Sequence, residues 1–340
     1  MGGEIKRQIT LDHGSGGLKT RELIEGLFLK RLNNPFLSNL EDSATLELNQ
    51  GRIAFTTDSY VVDPISFPGG DIGSLSVHGT INDLAMKGAW PVALSLSFVL
   101  EEGFFFDELD QILASIELAS KKAGVPIVTG DTKVVPRGKG DKIFINTSGI
   151  GIIPDGVDVG YHRIQSGDVI IVSGSVGDHG VTILTRREGL GFSGDLKSDT
   201  MALHGLVKTL IEELGPDLHC LRDPTRGGVA TVLVELAERT GLSMEVDEES
   251  IPIRDEVKGA TEILGLDPLY IANEGKLIAW VSEGSAKRAV EIMRQRIEGK
   301  EANIIGRVLD GKDARVTLNT IVGGKRAIYA LTGNPLPRIC

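Results

Sequence analysis

Hydrophobic residues along this chain recur at two spacings, and the change between them marks its elements. Helices are predicted over Ile72–Lys87 and Asp107–Ala123, the second amphipathic and closed by Gly124. Val92–Leu100, Ile127–Val135 and Lys142–Ile153 read as strands. Ala44–Leu48 and Ile53–Thr57 read as a hairpin around Asn49-Gln50-Gly51. Upstream, a helical run over Leu18–Arg31 follows the glycine-rich Asp12-His-Gly-Ser-Gly-Gly17, and Asn33 to Asn39 reads as a loop. After a linker-like stretch from Pro154 to Gly167 the pattern resumes, with strands at Val169–Ser173, Leu242–Val246, Lys276–Val281, Ile304–Leu309 and Ala314–Leu318. Helices are expected after Gly174–Gly180 and over Met201–Leu214, Val229–Arg239 and Ser285–Ile297. Two similar halves of alternating elements predict an α+β duplication. The expected division is a glycine-rich segment over 1–40, an N-terminal domain over 41–155, a C-terminal α/β domain over 160–330 and a tail over 331–340.

Length agrees with this, since 340 residues exceed one ordinary core. A net charge of −11 argues against nucleic acid or an anionic membrane as partner. There is no leader-like apolar stretch behind Met1 and no run of bilayer length, so a cytoplasmic protein is expected. Two cysteines, Cys220 and Cys340, make neither a disulfide framework nor a zinc site. Cys220 reads as a buried, inert thiol, whereas Cys340 is the last residue, on an arm stiffened by Pro335 and Pro337.

Six aspartates, Asp42, Asp58, Asp83, Asp131, Asp178 and Asp223, stand at ends of apolar elements beside small residues. Spaced carboxylates suit Mg²⁺, a hard cation that takes oxygen ligands and substrate phosphates. Each aspartate taken singly reads equally as a helix cap or turn former. Gly14, Gly16 and Gly17 would expose backbone N–H groups to an anion or form a plain turn, and no Walker lysine follows them. Lys133 interrupts an apolar strand, either on a solvated edge or against an anion. Glu274, just before a strand, is a candidate general base or a solvated turn residue.

Taken together these segments form an ordered set: Asp12-His-Gly-Ser-Gly-Gly17, Glu41-Asp-Ser-Ala44, Thr56-Thr-Asp-Ser59, Gly79-Thr-Ile-Asn-Asp83, Gly130-Asp-Thr-Lys133, Gly177-Asp-His-Gly180, Arg222-Asp-Pro-Thr-Arg-Gly-Gly228, Ala272-Asn-Glu-Gly275 and Pro337-Arg-Ile-Cys340. Over nearly its whole length the chain resembles the HypE family of hydrogenase maturation factors, the carbamoyl dehydratases. Their superfamily includes aminoimidazole ribonucleotide synthetase, selenophosphate synthetase and thiamine-monophosphate kinase. The aspartate motifs are superfamily-wide, and the terminal Pro-Arg-Ile-Cys is the part particular to HypE. The resemblance implies the two-domain fold of aminoimidazole ribonucleotide synthetase type, with a β-rich N-terminal dimerisation domain, an α/β C-terminal domain and a flexible tail.

It also implies ATP and Mg²⁺ as cofactors, a homodimer, and carbamoyl transfer to Cys340 by HypF. Dehydration of that thiocarbamate to a thiocyanate would follow, then cyanide delivery to iron on the HypC–HypD complex for nickel–iron hydrogenase. The roles carried over are metal binding by Asp42, Asp58, Asp83 and Asp223, and nucleotide binding by Gly14, Gly16, Gly17, Thr57, Asn82, Asp131 and Asp178. Catalysis falls to Cys340, to Glu274 as base, and to Lys133 as a cation at the thiocarbamate oxygen. Arg338 is the expected offset to the terminal carboxylate, whose charge disfavours the thiolate. Two other readings stay open, another ATP enzyme of the superfamily (selenophosphate synthetase or small-molecule kinase) and a passive carbamoyl carrier.

Overall fold

Two large sheets organise the computed structural model, which describes residues 8–10, 13, 22–34, 51–189, 195–311, 313–330 and 338–340. The first contains β1 (Arg52–Tyr60), β2 (Trp90–Glu101), β3 (Ile127–Val135) and β4 (Ile143–Ile153), in the order β1-β4-β2-β3. Only the β2–β3 pair is parallel. Strict alternation along β4 buries Ile143, Ile145 and Thr147 on one face and leaves Phe144, Asn146 and Ser148 on the other. Helices α1 (Ile72–Met86) and α2 (Phe106–Ala123) cover the inner face. On α2 the buried set Leu109, Ile112, Leu113, Ile116 and Ala119 is the helical stripe expected from sequence, and Gly124 closes it in the left-handed region at φ +68°.

Helix α1 is buried nearly all round because the sheet lies on one side and the second half of the chain on the other. Asp71 caps it, its carboxylate accepting from Ser74 N–H at 2.8 Å while Ser74 Oγ accepts from Asp71 N–H at 3.0 Å. Gly79 lets the helix close on Tyr60, since a Cβ there would stand 2.2 Å from the phenol oxygen.

The second sheet contains β5 (Val169–Val172), β6 (Leu218–Arg222), β7 (Ser243–Asp247), β8 (Ile278–Val281), β9 (Asn303–Leu309), β10 (Val316–Asn319) and β11 (Lys325–Ile328), ordered β11-β10-β7-β9-β5-β8-β6. Helices α3 (Asp178–Arg187), α4 (His204–Leu214), α5 (Gly228–Thr240), α6 (Asp255–Leu264) and α7 (Ala286–Arg294) accompany it. Val229, Leu233 and Leu236 of α5 pack in one core layer, while α4 and α7 pack in another, so β8 between them is buried throughout. A third layer joins the halves, with Val181, Val257 and Ile271 packing into the core of the first sheet.

Several elements differ from the sequence expectation. Ala44–Leu48 lies outside the described residues, and among those residues β1 pairs with β4. Helix α6 was not predicted because only Val257, Ala260 and Thr261 of its ten residues are buried, too thin an apolar signal. Strand β11 escaped for the same reason, Ile328 being its one buried residue. Helix α4 begins at His204 instead of Met201. Among the described residues no helix is long and apolar enough to cross a membrane.

Candidate active site

Four of the predicted acids face one another between the halves. Asp58 projects from the end of β1, Asp83 from the last turn of α1, Asp223 from the turn after β6, and Glu274 from the loop before β8. Burial raises the proton affinity of all four, and repulsion from neighbouring carboxylates adds to it at Asp58, Asp223 and Glu274. Asp223 is pushed up to about 7, first by burial and then by the charge of Asp83. Glu274, 4% exposed, rises well above the ordinary range through burial and the charges of Asp199, Asp223, Asp58 and Asp83. Relief comes from Arg226, whose charge opposes the rise at Asp58 and Asp83, and from Thr56 Oγ1, which donates to Asp83 at 2.7 Å.

The backbone of Glu274 is held from both sides. Its N–H donates to Asp199 Oδ1 at 3.0 Å, and its carbonyl accepts from Asn82 Nδ2 at 3.2 Å. Gly275 fits beneath Asp199, where a Cβ would come within 1.8 Å of the Asp199 carbonyl oxygen. Asp199 forms a buried ion pair with Lys276 at 3.1 Å. Asn273, fully buried, ties three loops together, accepting from Gly177 N–H at 2.7 Å and donating to Pro224 O at 3.0 Å. With its main chain pinned, Glu274 presents Oε1 without a hydrogen-bond partner among the described residues.

The end of the chain reaches this place. Cys340 is partly buried, and its thiol is pushed up to about 12, by burial first and then by the charge of Glu274. Every carbonyl of the last three residues accepts a hydrogen bond. Cys340 O takes Val61 N–H at 3.0 Å, Ile339 O takes His179 Nε2 at 2.7 Å, and Arg338 O takes Arg187 Nη2 at 2.7 Å and Asp63 N–H at 3.2 Å. Ile339 is 3% exposed and belongs to the core of the first sheet. The guanidinium of Arg338 donates to Val61 O and pairs with Asp141, while Arg226 is the cation that eases the thiol. The expected role of Arg338 as counter-charge is therefore corrected: it anchors the segment.

The remaining predicted residues are placed elsewhere or lie beyond description. Gly14, Gly16, Gly17 and Asp42 are outside the described residues. Asp178 is buried at the start of α3, bonded to Ser175 Oγ and to Arg254 at 3.2 Å, one loop away from the acidic group. Asn82 spends its amide on the backbone of Met201, Leu203 and Glu274, which makes it a staple between the halves. Thr57 points to the outer face of the first sheet, accepting from Ser148 Oγ at 2.9 Å. Asp131 and Lys133 form an exposed pair at 2.8 Å on the edge strand β3, and the lysine holds the Asp131 carboxyl below its ordinary range. Sequence reading missed Arg226, Asp199, Lys276 and the His179 contact. Arg226 alone was signalled, by its place in the Arg222–Gly228 segment.

The donor set can be judged against a divalent ion. Asp58, Asp83 and Asp223 are hard oxygen donors whose raised proton affinity a bound cation would lower, which suits Mg²⁺. Among the described residues no three acidic, histidine or cysteine side chains converge as ligands on one point.

Two domains meeting at a buried acidic cleft define the class, and models of the AIR synthase related protein match it, the N-terminal domain over residues 40–153 and the C-terminal domain over 165–319. The chain is 51% identical to carbamoyl dehydratase HypE of Azotobacter vinelandii, across 98% of this chain and 97% of that protein. A crystal structure of hydrogenase maturation protein HypE in complex with ATP aligns with a TM-score of 0.94 at 49% identity, over 97% of this chain and 99% of that one. A HypE–HypF complex aligns at 0.80 and 45%, over 91% and 99%. The chain belongs to the HypE family of carbamoyl dehydratases, as its motifs led one to expect.

Proposed function

We propose that this chain is an ATP-dependent carbamoyl dehydratase whose substrate is a carbamoyl group on its own Cys340. The observation that carries the reading is the terminal thiol lodged beside Glu274 in the acidic cleft of the same chain. An amide oxygen is a poor leaving group. Transfer of a phosphoryl group from ATP to the thiocarbamate oxygen, with one N–H proton removed, gives an S–C(=NH)–O–phosphate. Loss of phosphate and the second N–H proton then leaves S–C≡N. Glu274 supplies the base: its high proton affinity makes its carboxylate a strong acceptor, and Oε1 is uncommitted. Asp58, Asp83 and Asp223 would hold Mg²⁺, together with Asp42, and the ion would neutralise charge on the transferring phosphoryl group.

The cleft also explains why carbamoylation belongs elsewhere. Thiolate is the nucleophilic form, and the docked thiol is held far from it. A neutral thiocarbamate, by contrast, meets no repulsion from Glu274 or Asp58. The tail therefore loads outside, on a carbamoyltransferase such as HypF, and returns for dehydration. Delivery of cyanide to a HypC–HypD iron complex in the cytoplasm completes the reading.

A homodimer is supported by the outer face of the first sheet, where Phe55 is 70% exposed and Ile53 55%. Asp131 and Lys133 share that face. Mass spectrometry of the C-terminal peptide after carbamoylation tests the proposal. Addition of Mg²⁺-ATP should remove the mass of about one water, roughly 18 Da, from Cys340, by activation of the oxygen through phosphoryl transfer. A carbamoyl mass unchanged by ATP refutes it.

A further inference from the structure

Behind α1, on the side away from the acidic cleft, a cavity of about 670 Å³ opens between the two halves. This is the size of a pocket for a small metabolite. Its N-terminal wall is α1 and α2, with His78 and Lys122; its C-terminal wall is the segment from Thr200 to Gly205 and the turn carrying Arg296. Among the described residues Arg296 Nε is a buried donor without a partner in these walls, while His204 bonds the backbone of Ala123 and keeps only its Nδ1 free. Orphaned polar atoms of this kind are uncommon in finished interiors and call for a ligand or a water. Arg296 spends one terminal nitrogen on Glu298, at 3.0 Å, and leaves Nε open. Lys122 stands close enough that its charge, after burial, helps hold the His78 imidazole down to about 4. Leu118, Ala119 and Met201 supply apolar wall beside these groups.

Lys122 and Arg296 put a cation on each wall, Glu298 offsets part of the Arg296 charge, and two imidazoles are kept neutral, a lining that matches an anionic head on an apolar body. The cavity is also connected to the tail seat. His78 Nδ1 contacts Thr200 Oγ1 at 3.1 Å, Thr200 N–H donates to Ser198 Oγ at 3.2 Å, and Ser198 Oγ contacts His179 Nδ1 at 2.7 Å. His179 Nε2 holds the Ile339 carbonyl at 2.7 Å. Because that carbonyl only accepts, Nε2 carries the proton and Nδ1 accepts from Ser198.

We propose that this cavity binds a small phosphate monoester through Lys122 and Arg296, and that its occupancy changes the hold on the tail through Thr200, Ser198 and His179. The proposal rests on the docked tail alone, so its test stays separate from dehydration. Phenyl phosphate is the probe, titrated into the full chain without divalent metal, with phenol as the uncharged control. Side-chain ¹H–¹⁵N spectra should show His78 and His204 shifting on saturation with phenyl phosphate and staying still with phenol. Lys122→Gln and Arg296→Gln should each weaken binding at least tenfold. Affinity in both variants equal to that of the parent chain, equal binding of phenol, or unmoved histidine signals would overturn the site. The rate of Cys340 alkylation by iodoacetamide reads the second half. Saturating phenyl phosphate should change it at least threefold in the parent chain and leave it unchanged in Thr200→Val. A parent rate unmoved by bound probe would overturn the link to the tail.

Discussion

Replacing Ile339 by alanine should release the tail by an amount that can be worked out beforehand. The side chain is 3% exposed and sits among the core of the first sheet, so the change removes three buried carbons. At about 0.8 kcal/mol each, the loss is about 2.4 kcal/mol, or about fiftyfold in the docking equilibrium. Iodoacetamide at pH 7.5 provides the readout, because it reacts with thiolate. Docking moves the thiol from 9.0 to about 12, which cuts the thiolate about a thousandfold and makes the docked form silent. Cys220 is silent as well, buried and pushed up to about 12. The alkylation rate at Cys340 therefore counts undocked molecules and should rise about fiftyfold in Ile339→Ala, up to the ceiling set by a free peptide. The proton linkage has a definite sign. Docking raises the thiol's proton affinity, so docking is strongest below pH 9.0 and weakens as pH rises from there toward 12. A rate within threefold of the parent would mean that Ile339 does not seat the tail.

Other outcomes follow from the same cleft. Glu274→Gln should lower ATP-driven dehydration of carbamoylated Cys340 by about 10²–10⁴, with nucleotide affinity retained, as single-turnover mass spectrometry would show. Asp223→Asn should stabilise the metal-free chain at pH 7 by on the order of 2 kcal/mol in urea unfolding. That gain should vanish as pH falls toward 3.8, because a carboxyl raised to about 7 is a burden only where it must ionise. Breaking the buried pair with Lys276→Met should cost about 3–5 kcal/mol, and a double change with Asp199→Asn should recover part of it. Phe55→Glu should shift the sedimentation of a dimer toward the monomer, and a parent chain already monomeric would end the dimer reading.

What sequence could reveal of the site depended on where each residue's partners lie along the chain. Asp58, Asp83, Asp223 and Glu274 were legible because each ends an apolar element beside small residues, and such ends converge where two layers meet. Asn82 sits in the same kind of motif yet serves as a staple, since its partners Met201 and Leu203 are about 120 positions away. Asp199 and the contact of His179 with Ile339 were invisible for the same reason. Their roles depend on Glu274, Lys276 and Ile339, and no local spacing encodes contacts that distant. Lys133 was singled out as odd in its strand, and among the described residues its charge partner is Asp131, on the exposed edge.

The seat for the last three residues recognises backbone. Val61 N–H takes Cys340 O and Asp63 N–H takes Arg338 O, an antiparallel pairing that continues from the end of β1. Such a pairing sets a register, and because side chains alternate faces with each step it fixes which of Ile339 and Cys340 faces the core and which the cleft. A slip of one residue along this pairing would turn the Cys340 sulfur away from Glu274 while keeping every atom of the thiol. The register of this short pairing, and not the thiol alone, therefore decides whether the sulfur meets the acidic cleft.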